Sequence, residues 1–495
     1  MRFYASLLLL LWPICAVAQD DLEGGVRRLI EVYSLVENRY ADPVDPEQVF
    51  YQGVLPGMLR TLDPHSAFLD AERFASLKQM QHSVEKGFGS VVNLLPGRVI
   101  VLQTLPDSPS SRSGLSAGDE IVVMNGYPLS QFSIEQLVSF LGQSRQQSTE
   151  IMVQRPGVSR LIPMTLTPAE MADPSVSRAF LLRPGFGYVK VATFEGPTAE
   201  DLRTAIEDLG GNQLQGLILD MRGNPGGLVE GALQTASFFL EPGQQILRIR
   251  GREGPHEEVT VPPGFEPYKF RIAILIDNET ASAAEIVAGA LQDHDRATIL
   301  GQPSYGKGIV QSVFDLSEGT AVALTTAKYL TPSGRSIQRP LENCELYALA
   351  ACAEPGDEYQ TDQGRVVRAG GGIEPDKIVV PQGCSPTISY LCTRFETVME
   401  VSNSFFEFVQ QYLNKLPEVT KDFEPSPAML DDFQLFLSER RIRPDLSEWS
   451  ATLNYIRSRL KQEVFNLRLG VAKGDEVELQ RQAELQEALL ALASE

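Results

Sequence analysis

Residues 271–292 read RIAILIDNETASAAEIVAGALQ. Ile272 to Ile276 are apolar without a break, the pattern of a strand buried on both faces. The turn residues Asp277 to Thr280 follow, and small and apolar residues then continue at helical spacing from about Ser282. A serine at such a junction lies among free backbone N–H groups, near the positive end of the helix dipole. Ser282 or Thr280 can simply cap the helix, the ordinary use of such residues. Ser282 can instead be a nucleophile, and only a partner for its proton decides between the two.

The same alternation extends outward over about 185–382. FGYVKVATF (186–194), QGLILDMR (215–222) and RATILG (296–301) read as strands, and EDLRTAIEDL (200–209) and LVEGALQTASFFL (228–240) as helices. Strands alternating with helices imply a layered sheet with helices packed on it. Before it, about 87–168, come short strand runs and glycine turns: GFGSVVNLL, GRVIVLQTL, DEIVVMNG and TEIMVQRPG, with the amphipathic SIEQLVSFLG between the last two. Residues 22–84 are helical in pattern, with Val26, Leu29, Ile30, Tyr33 and Val36 at helical spacing. After about Thr397 the pattern is helical again, in a charged, amphipathic region that reads as separate. The expected organisation is an α/β (α+β) multidomain chain: a helical region 22–84, a β-rich domain 85–168, an α/β domain 175–396 and a helical region 397–495.

At 495 residues, with 43% hydrophobic and 22% charged residues, the chain is long enough for several buried cores. A formal net charge of −21 argues against nucleic acid or an anionic membrane as partner. The N-terminus, MRFYASLLLLLWPICAVAQDD, has a basic start, an apolar stretch and Ala16-x-Ala18, the pattern of a secretory signal cleaved after Ala18. No later segment approaches a transmembrane length, so the mature protein is expected in the periplasm or outside the cell. Four cysteines remain after cleavage, Cys344, Cys352, Cys384 and Cys392. An even set in an oxidising compartment suggests two disulfides, with the two local pairs as the expected connectivity. Their spacing and the lack of histidines argue against a metal site.

Two residues compete as partner for Ser282. A helix running from 282 to 294 would hold His294 roughly 18 Å along the axis from the serine, out of hydrogen-bond range. QDHDR reads as a solvated helix end. Lys307, in SYGKGIVQ (304–311), is flanked by Gly306 and Gly308 and followed by Ile309 and Val310, a partly buried setting. A lysine can take a serine proton when burial lowers its affinity for its own.

The order S-A-A-E-I, then G-K-G-I-V-Q beginning 24 residues after the serine, resembles the carboxyl-terminal processing peptidases, or tail-specific proteases. LDPHSAFL (62–69), DMRGNPGGLVEGA (220–232), LTTAKYLTPSGRSIQ (324–338) and GGIEPD (371–376) also resemble blocks of that family. PDSPSSRSGLSAGDEIVVMNGYPL (106–129) is similar to the central signature of a PDZ domain. The resemblance implies a catalytic domain of the ClpP/crotonase-like type, with Ser282 as nucleophile, Lys307 as general base and Gln311 orienting the lysine. It implies an oxyanion hole from the backbone N–H groups near Gly226 in NPGG and at Ala283. It also implies that Gly87, Phe88, Gly89, Ser90 and Val91 bind the C-terminal carboxylate and strand of a protein substrate. Asn224, Arg222 and Glu285 are expected to be structural, and neither a metal nor an organic cofactor is needed.

The 339–370 stretch, with Cys344 and Cys352, departs from the compact family pattern and is expected to form a disulfide-stapled flap. The C-terminal helices are the expected surface for dimerisation or for an adaptor protein. The rival readings are a non-catalytic PDZ scaffold or chaperone holding C-termini, and an esterase on the same site.

Overall fold

The computed structural model describes residues 17–81, 85–105, 107–156, 158–171, 174–251, 257–339, 356–380, 393–416 and 418–493. The signal sequence (but for its last two residues) and all four remaining cysteines lie outside the described residues. Two units are distinguished: residues 1–76 with 311–325, and residues 77–310 with 326–495. No helix among the described residues is long and apolar enough to cross a membrane.

In the smaller unit, helix Val17–Arg39 is followed by a π-helical turn, Gln48–Val54, and helix Leu55–Arg60. Strand Ala67–Leu69 pairs antiparallel with Ala321–Ala323, Phe68 opposite Val322. Tyr51 stacks on Phe68 with ring centroids 5.3 Å apart. Asp63 shapes the turn before this strand, accepting from the His65 and Ser66 N–H groups at 2.8 Å each.

The larger unit is built around a six-stranded sheet in the order Val176–Arg183, Phe186–Val191, Gly216–Asp220, Arg271–Ile276, Ala297–Gly301, Lys377–Ile378. The first pair is antiparallel and the rest are parallel. The unbroken apolar run of 272–276 has its explanation here. Ile272, Ile274 and Ile276 point into one core, with Ile286, Val287 and Leu291 of helix Ala283–Asp293 and Leu202 and Ala236 of its neighbours. Ala273 and Leu275 point to the other face, against Leu485, Ala488 and Leu492 of helix Ala483–Ala493. Side chains alternate along a strand, so a strand covered on both faces must be apolar throughout. Burying Leu485 and Leu492 contributes about 1.5–3 kcal/mol each.

A second sheet runs in the order Ser90–Leu95, Arg98–Thr104, Glu120–Met124, Thr149–Gln154, Ile162–Leu166. Helix Ile134–Ser144 lies beside the first strand. Its start is fixed reciprocally: Gln136 N–H donates to Ser133 Oγ, and Ser133 N–H to Gln136 Oε1.

The helices from Arg394 onward are not separate in packing. Phe405, Phe406, Phe408, Phe433 and Phe436 share a core with Ile100 of the second sheet. Val471 N–H donates to Gln103 Oε1 at 3.0 Å. Because helix Ala483–Ala493 covers the main sheet, the C-terminal region joins both sheets. The change of texture near 397 marks a change of secondary structure, not the end of a core.

Candidate active site

The turn predicted after the central strand ends in a conformation that an ordinary cap would not need. Ser282 stands at the N-cap of the helix and shares a capping box with Glu285, yet it does so at φ 53° and ψ −114°. A positive φ of this kind costs a non-glycine residue about 1–3 kcal/mol and persists only where its surroundings enforce it. Here the enforcement is visible. Ala281 N–H donates to the Asn224 carbonyl at 2.9 Å, and Thr280 Oγ1 donates to the Met221 carbonyl at 2.9 Å. Asn224 is fully buried, and its Nδ2 donates to the Val191 carbonyl at 2.9 Å. The NPGG loop is thus fastened to both the strand end at Val191 and the serine turn.

Gly226 explains its own identity. It has φ +99°, and a Cβ there would lie 2.8 Å from the Ala281 carbonyl oxygen, 2.8 Å from Ser282 Cβ and 2.9 Å from Ala283 N. The Gly226 N–H is engaged, donating to Asn224 Oδ1 at 2.8 Å. Among the described residues, no backbone hydrogen bond is made by the N–H of Gly227 or of Ala283. Arg222 pairs with buried Asp220 at 2.6 Å and with Glu484 at 3.2 Å, so it fastens the base of this loop to the C-terminal helix. Burial alone would raise the Asp220 carboxyl, but the charges of Arg222 and Lys190 outweigh it and hold it well below the usual range.

The lysine segment meets the serine turn through Glu285. This carboxylate is fully buried. Its Oε1 accepts from Ser304 Oγ at 2.5 Å and from Gly306 N–H at 2.7 Å. Its Oε2 accepts from Ser282 N–H at 2.8 Å and from Lys307 N–H at 2.9 Å. Burial pushes this carboxyl above the ordinary glutamate value, and the four donated bonds pull it back toward the ionised form. Lys307 is partly buried, in keeping with its glycine-flanked setting.

The flanking glycines have a steric cause. A Cβ on Gly306 (φ +90°) would lie 2.9 Å from Arg339 Cβ, and one on Gly308 would lie 2.9 Å from Gln338 N. Gln338 Oε1 accepts the Gly308 N–H at 2.9 Å. Tyr329 also reaches this point: its hydroxyl donates to the Lys307 carbonyl at 2.5 Å and lies 3.2 Å from the Ser282 carbonyl oxygen. Gln311 belongs to the smaller unit, where its Nε2 donates to the His65 carbonyl at 2.8 Å.

His294 caps the far end of helix Ala283–Asp293, away from the serine as the helix length requires. It is not the solvated residue that QDHDR suggests. Its side chain is 9% exposed, with Nε2 2.7 Å from the Gln245 carbonyl oxygen and Nδ1 2.7 Å from Asp362 Oδ2. Asp362 belongs to the described part of the 339–370 stretch, in a hairpin of Glu358–Gln360 and Val366–Arg368. Asp362 N–H donates to the Asp293 carbonyl at 2.9 Å, and Arg365 donates to the Gln292 carbonyl at 3.0 Å. The hairpin therefore covers helix-end carbonyls, where a cation is also favoured by the dipole.

In the second sheet, strand Ser90–Leu95 is at the edge, with one neighbouring strand among the described residues. Val91 on it and Ile134 and Val138 on the adjacent helix are exposed apolar residues. Gly89 has φ +70°. Among the described residues no backbone bond is made by the Phe88 or Gly89 N–H. Gly89 itself is held from behind, its carbonyl accepting from Leu105 N–H at 2.8 Å and Ser108 Oγ at 3.1 Å.

Comparison with known proteins identifies two known families along the chain. The profile of peptidase family S41 matches residues 185–342, and that of the PDZ domain matches 79–154. The carboxy-terminal-processing protease of Bartonella bacilliformis is 32% identical over 68% of this chain and 77% of its own length. The carboxy-terminal processing protease CtpB of Bacillus subtilis is 29% identical over 66% of this chain and 68% of its own. Among solved structures, the photosystem II D1 C-terminal processing protease is 26% identical, covering 71% of this chain and 86% of that one, with a TM-score of 0.41. With a serine turn, a lysine loop and a PDZ sheet all in one chain, and a relative this similar over this length, the protein belongs to the carboxy-terminal-processing protease family.

Proposed function

We propose that the chain is an exported serine endopeptidase that holds the C-terminal tail of a protein substrate in its PDZ domain and cleaves the polypeptide through an acyl-enzyme. Ser282 Oγ attacks the scissile carbonyl and Lys307 takes its proton, later returning one to the leaving amine. Gln311, four residues on, orients the lysine. The observation that carries this reading is the Glu285 carboxylate, which accepts a backbone N–H from both Ser282 and Lys307. Two residues far apart in sequence meet at one buried acceptor, as a nucleophile and its base require. Secretion through the N-terminal leader accords with the substrates proposed.

For the oxyanion, we assign the donors to the N–H groups of Gly227 and Ala283, because the Gly226 N–H is already engaged by Asn224. Gly226 then serves by close approach to the serine turn. Gly226→Ala is expected to lower kcat about 100-fold, since its Cβ must displace Ser282 or Ala283 by a large fraction of an ångström. Steady-state kinetics beside a thermal melt would check this; a folded variant with wild-type kcat would remove Gly226 from the site.

The tail would add as a strand along Ser90–Leu95, its carboxylate at the Phe88 and Gly89 N–H groups and its apolar side chains against Val91, Ile134 and Val138. Val138→Glu is expected to raise KM about tenfold for a substrate with an apolar tail, the worth of one apolar contact, with kcat unchanged. The same protein lacking its tail should show no difference between variant and wild type. A serine-reactive fluorophosphonate should label wild type and leave Ser282→Ala unlabelled. Equal labelling of both would put the reactive serine elsewhere, and labelling of neither would leave the PDZ scaffold reading.

A further inference from the structure

We propose that Tyr329 is a positioning residue for the Ser282–Lys307 pair, its hydroxyl tying the carbonyl side of the base to the carbonyl side of the nucleophile. The inference rests on the Ser-Lys reading above and adds to it a residue which that reading does not use.

The geometry is a clamp with two jaws. Glu285 holds the N–H of Ser282 and the N–H of Lys307. Tyr329 stands at the carbonyls of the same two residues, 2.5 Å from that of Lys307 and 3.2 Å from that of Ser282. Between them, two side chains reach both backbone polar groups of nucleophile and base, and neither needs to touch the reacting atoms. The single phenolic proton is directed at Lys307, with Ser282 at the longer distance of a shared bond.

Tyr329 is itself well fixed. It lies opposite Ile249 in the strand pairing, and its N–H donates to the Gly308 carbonyl at 3.0 Å. Its ring belongs to the main core and is 3% exposed. Burial, and then the charge of Glu285, push the phenol well above its ordinary value, so it keeps its proton and remains a donor. The chemistry makes this matter. Proton transfer needs the serine oxygen and lysine nitrogen within about 2.6–3.2 Å. A flexible lysine side chain meets that only if its backbone is placed, and a misplacement of about 1 Å can cost 100-fold in rate.

Tyr329→Phe keeps the ring and removes only the hydroxyl. The test measures kcat and KM on a tail-bearing protein substrate, with active sites counted by fluorophosphonate labelling so that turnover is expressed per reactive serine. The expected result is a fall in kcat of about 10- to 100-fold per labelled site, with KM within twofold and a comparable fall in labelling rate. A merely structural hydroxyl would reduce the number of labelled sites and leave the rate per site unchanged, and that outcome would overturn the proposal. Ser282→Ala and Lys307→Ala are run in parallel. If either cleaves normally, the Ser-Lys reading fails and takes this one with it. If both are inactive while Tyr329→Phe turns over at the wild-type rate, only the role of Tyr329 fails.

Discussion

Ser282→Ala and Lys307→Ala are each expected to lower kcat by about 10⁴-fold or more on a tail-bearing protein substrate, with the fold retained. The serine variant loses the atom that forms the acyl-enzyme. The lysine variant keeps the hydroxyl but has no base in the same position to take its proton, since His294 is held at the other end of the helix by Asp362 and the Gln245 carbonyl. Residues that act as one unit are non-additive, so the double variant should be no slower than the worse single. PDZ binding of a tail peptide should be unchanged in all three, because strand Ser90–Leu95 and helix Ile134–Ser144 belong to a different sheet and core. Appreciable turnover in either single variant, measured against a preparation free of other proteases, would defeat the mechanism.

Much of this arrangement is legible in the sequence, and the reason is local. The apolar run Ile272–Ile276 announces a strand covered on both faces, and the sheet does carry helices on both. Gly306 and Gly308 mark Lys307 as unusual, though the cause is the close passage of Ile337 to Arg339, which no spacing reveals. What the sequence hides is what depends on distant partners. Glu285 looks like a helix-start carboxylate, and its role comes from Ser304, Gly306 and Lys307, which the fold brings to it. Tyr329, in AKYL, reads as one more apolar strand position. Leu485, Ala488 and Leu492 give an amphipathic helix whose partner sheet lies some 200 residues earlier, so its pattern predicts a face but not what covers it. The engaged N–H of Gly226 and the hairpin over His294 are likewise products of tertiary contact.

Glu285→Gln is the substitution expected to do most harm without touching a reacting atom. All four bonds to this carboxylate are accepted ones, two at each oxygen. A glutamine offers one accepting oxygen and an NH₂ group that can only donate. Whichever way the amide turns, it sets a donor against two donors: Ser304 Oγ and Gly306 N–H, or Ser282 N–H and Lys307 N–H. The serine hydroxyl can rotate, but a backbone N–H cannot. Each buried group left unsatisfied costs about 1–3 kcal/mol, and the relief available is movement of the lysine loop away from the serine turn. The expected result is a melting temperature well below wild type and a kcat at least about 100-fold lower in the fraction that remains folded. Glu285→Asp should not restore activity, because it keeps the charge but withdraws the carboxylate by about 1.5 Å from the donors of both loops. Thermal melts read beside kinetics per labelled serine separate the two effects. A glutamine variant with unchanged kcat per site would mean that the serine turn and the lysine loop are held together by something other than this carboxylate. The positive φ of Ser282 would then rest on the bonds that tie Ala281 to Asn224 and Thr280 to Met221, rather than on the bond from its own N–H to Glu285.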